Sequence, residues 1–242
     1  MKLESSTVLV TGGASGIGYA LAERFLGAGS RVIVCGRREE KLRGAQAAHP
    51  KLAIRVCDLA RESERISLFQ WAVREFPHLN VLVNNAGIQR SFRLDAPEEW
   101  PGTAEEIAIN FEAPVHLAML FVPHLKRQSD PAIVNVTSGL SFSPLARVPV
   151  YSATKAAMHS FTLSLRRQLG EAIEVVELVP PAVDTDLGGP GLHTFGVPVS
   201  DFVGSAMEGI ARGEREIAYG FSQKASRASR EELDGIFRQM NS

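Results

Sequence analysis

Residues 7–18 read Thr7-Val8-Leu9-Val10-Thr11-Gly12-Gly13-Ala14-Ser15-Gly16-Ile17-Gly18. The first five are an apolar, β-branched run of strand type, and a helical pattern opens at Gly16 and continues to Ala28. Gly12, Gly16 and Gly18 lie in the turn between them, a looser relative of the dinucleotide-binding fingerprint. Glycines let the backbone turn tightly and approach a pyrophosphate, and a helix N-terminus favours negative charge. This turn predicts a nucleotide site that includes Gly12, Ser15, Gly16, Ile17 and Gly18.

The same alternation continues outward from the turn. Strand-like runs are expected at 31–35, 52–56, 81–84, 132–137 and 173–179, and helices at 38–48, 62–76, about 104–127 and 149–169. The strands are near-continuous Val/Ile/Leu runs, as required when both faces of a sheet are covered. Regular β-α alternation implies a parallel sheet with right-handed crossovers. The expectation is one doubly wound α/β domain of about seven strands spanning residues 1–242, with helices on both faces. From Val179 to Asp201 the chain is rich in Pro and Gly and reads as a long loop, with a substrate loop at about 186–200. A last strand is expected at Glu216–Tyr219 and a polar helical tail at about 222–240.

Composition narrows the function. The chain has 242 residues, 45% of them hydrophobic, enough for a substantial core. Its net charge of −1 argues against nucleic-acid or membrane-surface partners. No apolar run reaches the ~20 residues of a membrane span, and the first residues lack the pattern of a secretory signal. Cys35 and Cys57 lie in strand-like runs and read as buried free thiols. A soluble cytoplasmic protein is expected.

Tyr151 and Lys155 are four residues apart in Tyr151-Ser152-Ala153-Thr154-Lys155 and share one helix face. An ammonium near a phenol favours the phenolate, and a tyrosine so tuned gives or takes a proton at neutral pH. An ordinary exposed helix face can carry the same pair, so the surrounding motifs decide. Ser138 follows the strand that ends at Thr137, where a hydroxyl can donate to a carbonyl oxygen gaining charge. Asn110 sits in the long helix, and Pro114, four residues on, has no N–H to give its carbonyl. A free acceptor and a local kink are expected there.

Thr11–Gly18, Asn84-Asn85-Ala86-Gly87, Asn110, Ser138, Tyr151 and Lys155 together resemble the short-chain dehydrogenase/reductase family, from about Thr7 to Thr185. The tail resembles the DltE-like bacterial oxidoreductase branch. The resemblance implies an NAD(P)-dependent oxidoreductase acting on CH–OH or C=O groups. Its catalytic set would be Ser138, Tyr151, Lys155 and Asn110, with Tyr151 as general acid/base. Lys155 would lower the tyrosine pKa and hold the nicotinamide ribose, and the Asn110 carbonyl would bind a water that leads to solvent. Asn85, Ala86 and Gly87 would lie beside the cofactor, with Asn85 as a backbone and ribose-side contact. Val183 and Thr185 would meet the nicotinamide carboxamide and phosphate, although Pro181 stands where the family commonly has glycine. Asp58, followed by Leu59, would contact the adenine; Asp58 reads equally well as a helix N-cap.

Cofactor choice is written at the end of the second strand. Gly36 stands where NAD-preferring relatives carry an acid, and Arg37 and Arg38 follow. Arginine offers bidentate contacts to a 2′-phosphate, so NADP(H) is expected to be preferred, with NAD(H) possible. The substrate is expected to be a small molecule, an apolar carbonyl or alcohol, held by residues 139–148, 89–94 and 186–198. Arg90, Arg93 and Arg147 read as solvated charges, with anion recruitment as the alternative. A homo-oligomer is implied, a dimer through the long helices or a tetramer. The readings kept beside the carbonyl reductase are an NAD-dependent alcohol dehydrogenase and a non-catalytic nucleotide-binding redox sensor, which would have no need of a tuned phenol.

Overall fold

The computed structural model describes residues 1–93 and 95–242. Seven strands form one wholly parallel sheet: β1 (Thr7–Thr11), β2 (Arg31–Gly36), β3 (Ala53–Val56), β4 (Val81–Asn84), β5 (Ala132–Val136), β6 (Glu174–Val179) and β7 (Glu216–Ala218). Their spatial order is β3-β2-β1-β4-β5-β6-β7. The order reverses between β1 and β4, so the crevice at their carboxyl ends is where such a sheet binds ligands.

Side chains along each strand alternate between two apolar layers. Val8 and Val10 pack into one layer with Leu21 and Phe25 of α1 (Gly16–Gly27) and Leu42 of α2 (Glu39–Ala48). Leu9 points into the other, with Leu68 of α3 (Glu62–Glu75), Leu117 and Phe121 of α5 (Ala113–Leu125) and Leu165 of α6 (Pro149–Leu169). Because both faces are covered, the strands carry apolar residues on both sides, which is why they read as continuous runs.

Three segments depart from the sequence expectation. The long helix begins at Trp100 as α4 (Trp100–Ile107) and passes through a π-helical turn, Ala108–Glu112, before α5. Ala113 N–H donates to the Ala108 carbonyl across this turn. Pro114 has no N–H for the Asn110 carbonyl, and the hydrogen-bond ladder absorbs the gap by widening one turn rather than by a simple kink.

The expected loop to Asp201 ends earlier, at α7 (Val199–Ala211). Phe202, Val203, Ala206, Met207 and Ile210 of α7 pack against the α1 side of the sheet. The tail is broken into α8 (Phe221–Ala225) and α9 (Arg230–Met240). Ser229 and Glu232 form a reciprocal capping box that starts α9 afresh.

Candidate active site

The glycine turn is fixed from beneath by the Asn84–Gly87 segment. Thr11 Oγ1 accepts from the N–H groups of Asn85 (3.0 Å) and Ala86 (3.1 Å) and donates to the Val83 carbonyl at 3.1 Å. Asn85 Nδ2 donates to the Thr11 carbonyl at 2.9 Å. The Asn85 amide, expected beside the ribose, is thus engaged with the turn itself. Gly18 is required by the same contact: a Cβ there would lie 2.3 Å from Asn85 Nδ2. Gly12 adopts φ +65° and passes so close to Ala86 that a Cβ would stand 2.9 Å from its Cα.

Above the turn lies a cleft of about 1050 Å³ at the carboxyl ends of β1 and β4. Gly12, Ser15, Gly16, Ile17, Arg37, Arg38, Leu59, Asn85, Ala86, Gly87, Tyr151, Lys155 and Thr185 line it. Gly18, Asp58, Asn110, Ser138 and Val183 are set back from that surface. Val183 is buried and pairs with Val197 as a parallel bridge, which ties the start of the 186–196 loop to its end.

Asp58 does not cap α3. That position belongs to Arg61, while Asp58 Oδ1 accepts from Ala60 N–H at 3.1 Å two residues on. The separation from Glu62 is too long for an N-cap, so the capping alternative is set aside.

The cleft suits a dinucleotide. Ser15 makes no side-chain cap and the first turn of α1 carries no acid, so its N–H groups stay available to a phosphate. Arg38 Nη2 donates to Ser15 Oγ at 3.1 Å, which brings its charge to the same turn. Gly87 lines the far end, where a Cβ would make ordinary contact with Asn110 Oδ1 at 3.4 Å and Lys155 Nζ at 3.7 Å.

At that end α6 presents Tyr151, Thr154, Lys155 and Met158 on its buried face, at the spacing of successive turns. Ser138, just past β5, is buried beside Tyr151, and its Oγ accepts from Leu140 N–H at 3.1 Å. Lys155 Nζ donates to the Val136 carbonyl at 2.7 Å. Asn110 acts through its side chain: Oδ1 accepts from Ile88 N–H (2.9 Å), and Nδ2 donates to the Ile88 carbonyl (2.8 Å) and Thr154 Oγ1 (3.3 Å). Thr154 Oγ1 in turn donates to the Tyr151 carbonyl at 2.8 Å. The four predicted catalytic residues therefore meet in one linked cluster, and Thr154 joins it.

The structure does not give Tyr151 the acidic phenol that the spacing predicts. Burial pushes the Tyr151 phenol up to about 12; the Ser138 hydrogen bond opposes this, and the Glu106 carboxyl adds to it. Burial also lowers the Lys155 ammonium to about 8. Residue spacing places the pair on one face, but desolvation is the largest influence on each group.

Two carboxylates of α4 were not legible as site residues. Glu105 pairs with both Arg37 and Arg90. Glu106 is fully buried; one oxygen accepts from Arg90 N–H at 3.3 Å and the other has no partner among the described residues. Burial raises its carboxyl to about 7. Its place four residues before Asn110, on the same helical face, was the available signal.

Of the expected substrate walls, Gln89, Arg90, Leu187 and Gly188 line the cleft, while Phe92 and Leu192 line a smaller adjoining cavity of about 510 Å³. Arg90 is thus not a free surface charge, whereas Arg93 pairs with Asp95 in solvent. Phe142 instead meets His159 edge-on, and His159 shares hydrogen bonds of 2.9 and 3.0 Å with the buried Glu177 carboxylate. Leu94 lies outside the described residues. Cys35 and Cys57 are buried free thiols, and burial pushes the Cys57 thiol up to about 12.

Comparison with known proteins identifies the family and the fold. The family model described as short chain dehydrogenase matches residues 6–192. The chain is 46% identical to the uncharacterized oxidoreductase DltE of Bacillus subtilis (strain 168), over all of this chain and 98% of that one. A short-chain dehydrogenase from Sphingobium yanoikuyae in complex with NADPH superimposes with a TM-score of 0.82 at 26% identity, covering 97% of this chain and 94% of that one. A short chain dehydrogenase/reductase from Burkholderia phymatum in complex with NAD shares the fold, with a TM-score of 0.80 at 20% identity, over 100% of this chain and 97% of that one.

Proposed function

This chain belongs to the short-chain dehydrogenase family and is an NAD(P)-dependent oxidoreductase; from that premise we propose that it is an NADPH-preferring reductase of apolar ketones or aldehydes. The observation that carries the proposal is the convergence of Ser138, Tyr151, Lys155 and Asn110 at one end of a cleft whose other end holds Arg37 and Arg38.

When bound, the nicotinamide supplies the hydride, or accepts it in the reverse direction. Ser138 donates a hydrogen bond to the substrate oxygen as charge develops on it. Tyr151, a neutral phenol at physiological pH, gives its proton to that oxygen as the alcohol forms and takes it back in oxidation. Lys155, anchored on the Val136 carbonyl, places a cation beside the ring whose phenolate is left behind. Asn110 and Thr154 fix the helix that bears the tyrosine.

NADPH preference is supported by Gly36, which leaves no carboxylate at the end of β2, and by the two arginines in the cleft. Ile88 and Leu187 in the cleft, with Phe92 and Leu192 beside it, support an apolar substrate. No helix among the described residues is long and apolar enough to cross a membrane. The buried thiols fit a reducing cytoplasm. A homodimer through the outer faces of α5 and α6 belongs to the same reading, since Met119 and Leu163 are exposed there.

The test follows nicotinamide absorbance with purified protein, NADPH or NADH, and a panel of ketones and aldehydes. Turnover favouring NADPH is expected. Cofactor binding without turnover on any substrate of the panel would count against the reductase and for a sensor.

A further inference from the structure

The carboxylate of Glu105 is shared. Oε1 takes Arg37 and Oε2 takes Arg90, so a single side chain on α4 bridges the residue after β2 and the segment after β4. Both arginines line the same cleft, and Arg90 also lines the smaller cavity beside Phe92 and Leu192. Arg90 is held a second time, through its main-chain N–H, by the neighbouring Glu106. The arrangement joins the cofactor side of the cleft to the segment that walls the substrate side.

We propose that Glu105 is a specificity-determining residue for the cofactor: it competes with a 2′-phosphate for Arg37 and shifts toward Arg90 when the phosphate takes that arginine. The proposal rests on the NADPH reading given above. Two guanidinium groups face one carboxylate, so the trio keeps a net positive charge and still attracts a phosphate. A phosphate group offers Arg37 more charge and more acceptor oxygens than one carboxylate oxygen does. Both ion pairs are about half exposed on the arginine side, 44% and 47%, and pairs of this kind are weak enough to exchange. Once released, Arg37 leaves Glu105 beside a new negative charge, and the carboxylate is then held by Arg90 alone. A cofactor without the 2′-phosphate gives Arg37 no such alternative. Cofactor identity is thereby linked to how firmly the segment from Ile88 to Arg90 is held.

The test is fluorescence titration of NADPH and NADH dissociation constants for the wild type, Glu105→Gln, Arg90→Gln, Arg37→Ala and the Arg37→Ala/Glu105→Gln double variant. Glu105→Gln removes the competing charge at nearly constant shape and is expected to tighten NADPH about 3- to 10-fold, with NADH changing less than about 2-fold. Arg90→Gln leaves Arg37 as the only partner of the carboxylate and is expected to weaken NADPH about 2- to 3-fold, opposite in sign. In the Arg37→Ala background Glu105→Gln should lose its benefit, because the pair it relieves is gone.

Unchanged or weaker NADPH binding in Glu105→Gln, with Arg37→Ala still costing NADPH about 10-fold, would overturn the competition and leave the NADPH reading intact. An NADPH/NADH ratio unaffected by Arg37→Ala would overturn both. Because Arg90→Gln reports independently and with the opposite sign, misfolding of one variant cannot mimic the expected pattern.

Discussion

Lys155 Nζ lies 5.7 Å from the centroid of the Tyr151 ring and donates to the Val136 carbonyl. The lysine is thus fixed by backbone next to the phenol without bonding to it. Replacing the phenol hydroxyl should leave the lysine anchor and the cleft unchanged. Tyr151→Phe is expected to lower kcat about 10²- to 10⁴-fold with cofactor affinity within about 2-fold, since proton transfer contributes rate rather than binding. Steady-state kinetics with a cofactor titration decides this, and near-wild-type turnover would remove Tyr151 from its role.

The same pair sets a pH dependence. Burial lets Lys155 lose its proton near 8, well before the Tyr151 phenol at about 12. The protonated lysine is the form that favours transfer of the phenolic proton. The kcat/KM of carbonyl reduction should therefore be highest below pH 8 and fall as pH rises through that value. A profile flat from pH 7 to 9 would contradict it.

Asn110 spends its side chain on both polar groups of Ile88. Asn110→Leu has similar volume and leaves that N–H and carbonyl without partners. A loss of about 2–4 kcal/mol in denaturant stability is expected from two stranded backbone groups, with a fall in activity as the Ile88–Arg90 wall loosens. A loss below about 0.5 kcal/mol, typical of a neutral surface change, would show that those bonds carry little.

Glu106 predicts a stability change with a definite sign. Its folded carboxyl titrates at about 7, against 4.5 ordinarily, because it is buried. Between those values the native state holds a proton that the unfolded chain has lost, so stability falls as pH rises through the window. Glu106→Gln cannot ionise and keeps an acceptor for Arg90 N–H. It should be more stable than wild type by on the order of 3 kcal/mol at pH 8, about 6–12 °C in Tm, with the gain shrinking toward pH 5. Parallel melting curves across that range check the slope, and a gain independent of pH would refute the cause.

Asn241, next to the last residue, holds the segment before α6. Its Oδ1 accepts from Ala146 N–H at 2.6 Å and its Nδ2 donates to the Pro144 carbonyl at 3.1 Å. These bonds tie the tail to the loop that leads into Tyr151. Asn241→Ala is expected to raise KM about 2- to 10-fold with little change in kcat, the worth of one or two exposed hydrogen bonds. Unchanged KM would limit the tail to a covering role.

Two of the differences from the sequence expectation are themselves legible along the chain. The apolar positions of α7, Phe202, Val203, Ala206, Met207 and Ile210, recur at helical spacing directly after Pro198. They were hidden by the breaker-rich loop that runs into them. Ser229 and Glu232 likewise carry the capping-box spacing that divides the tail. Both depend only on contacts within one or two turns, which spacing along the chain sets.

By itself the sequence determined the strand-helix rhythm, the glycine turn, the family and the shared face of Tyr151 and Lys155. All of these rest on spacing within a short stretch, where backbone geometry alone fixes which residues are neighbours. Tertiary structure alone decided that Glu105 joins Arg37 to Arg90, that Asn241 reaches Pro144, and that burial drives the Tyr151 and Lys155 titrations apart. Those facts turn on which distant segments meet and on how much water their meeting excludes. Ion pairing and desolvation depend on distance and surroundings in space, and no interval along the chain encodes either.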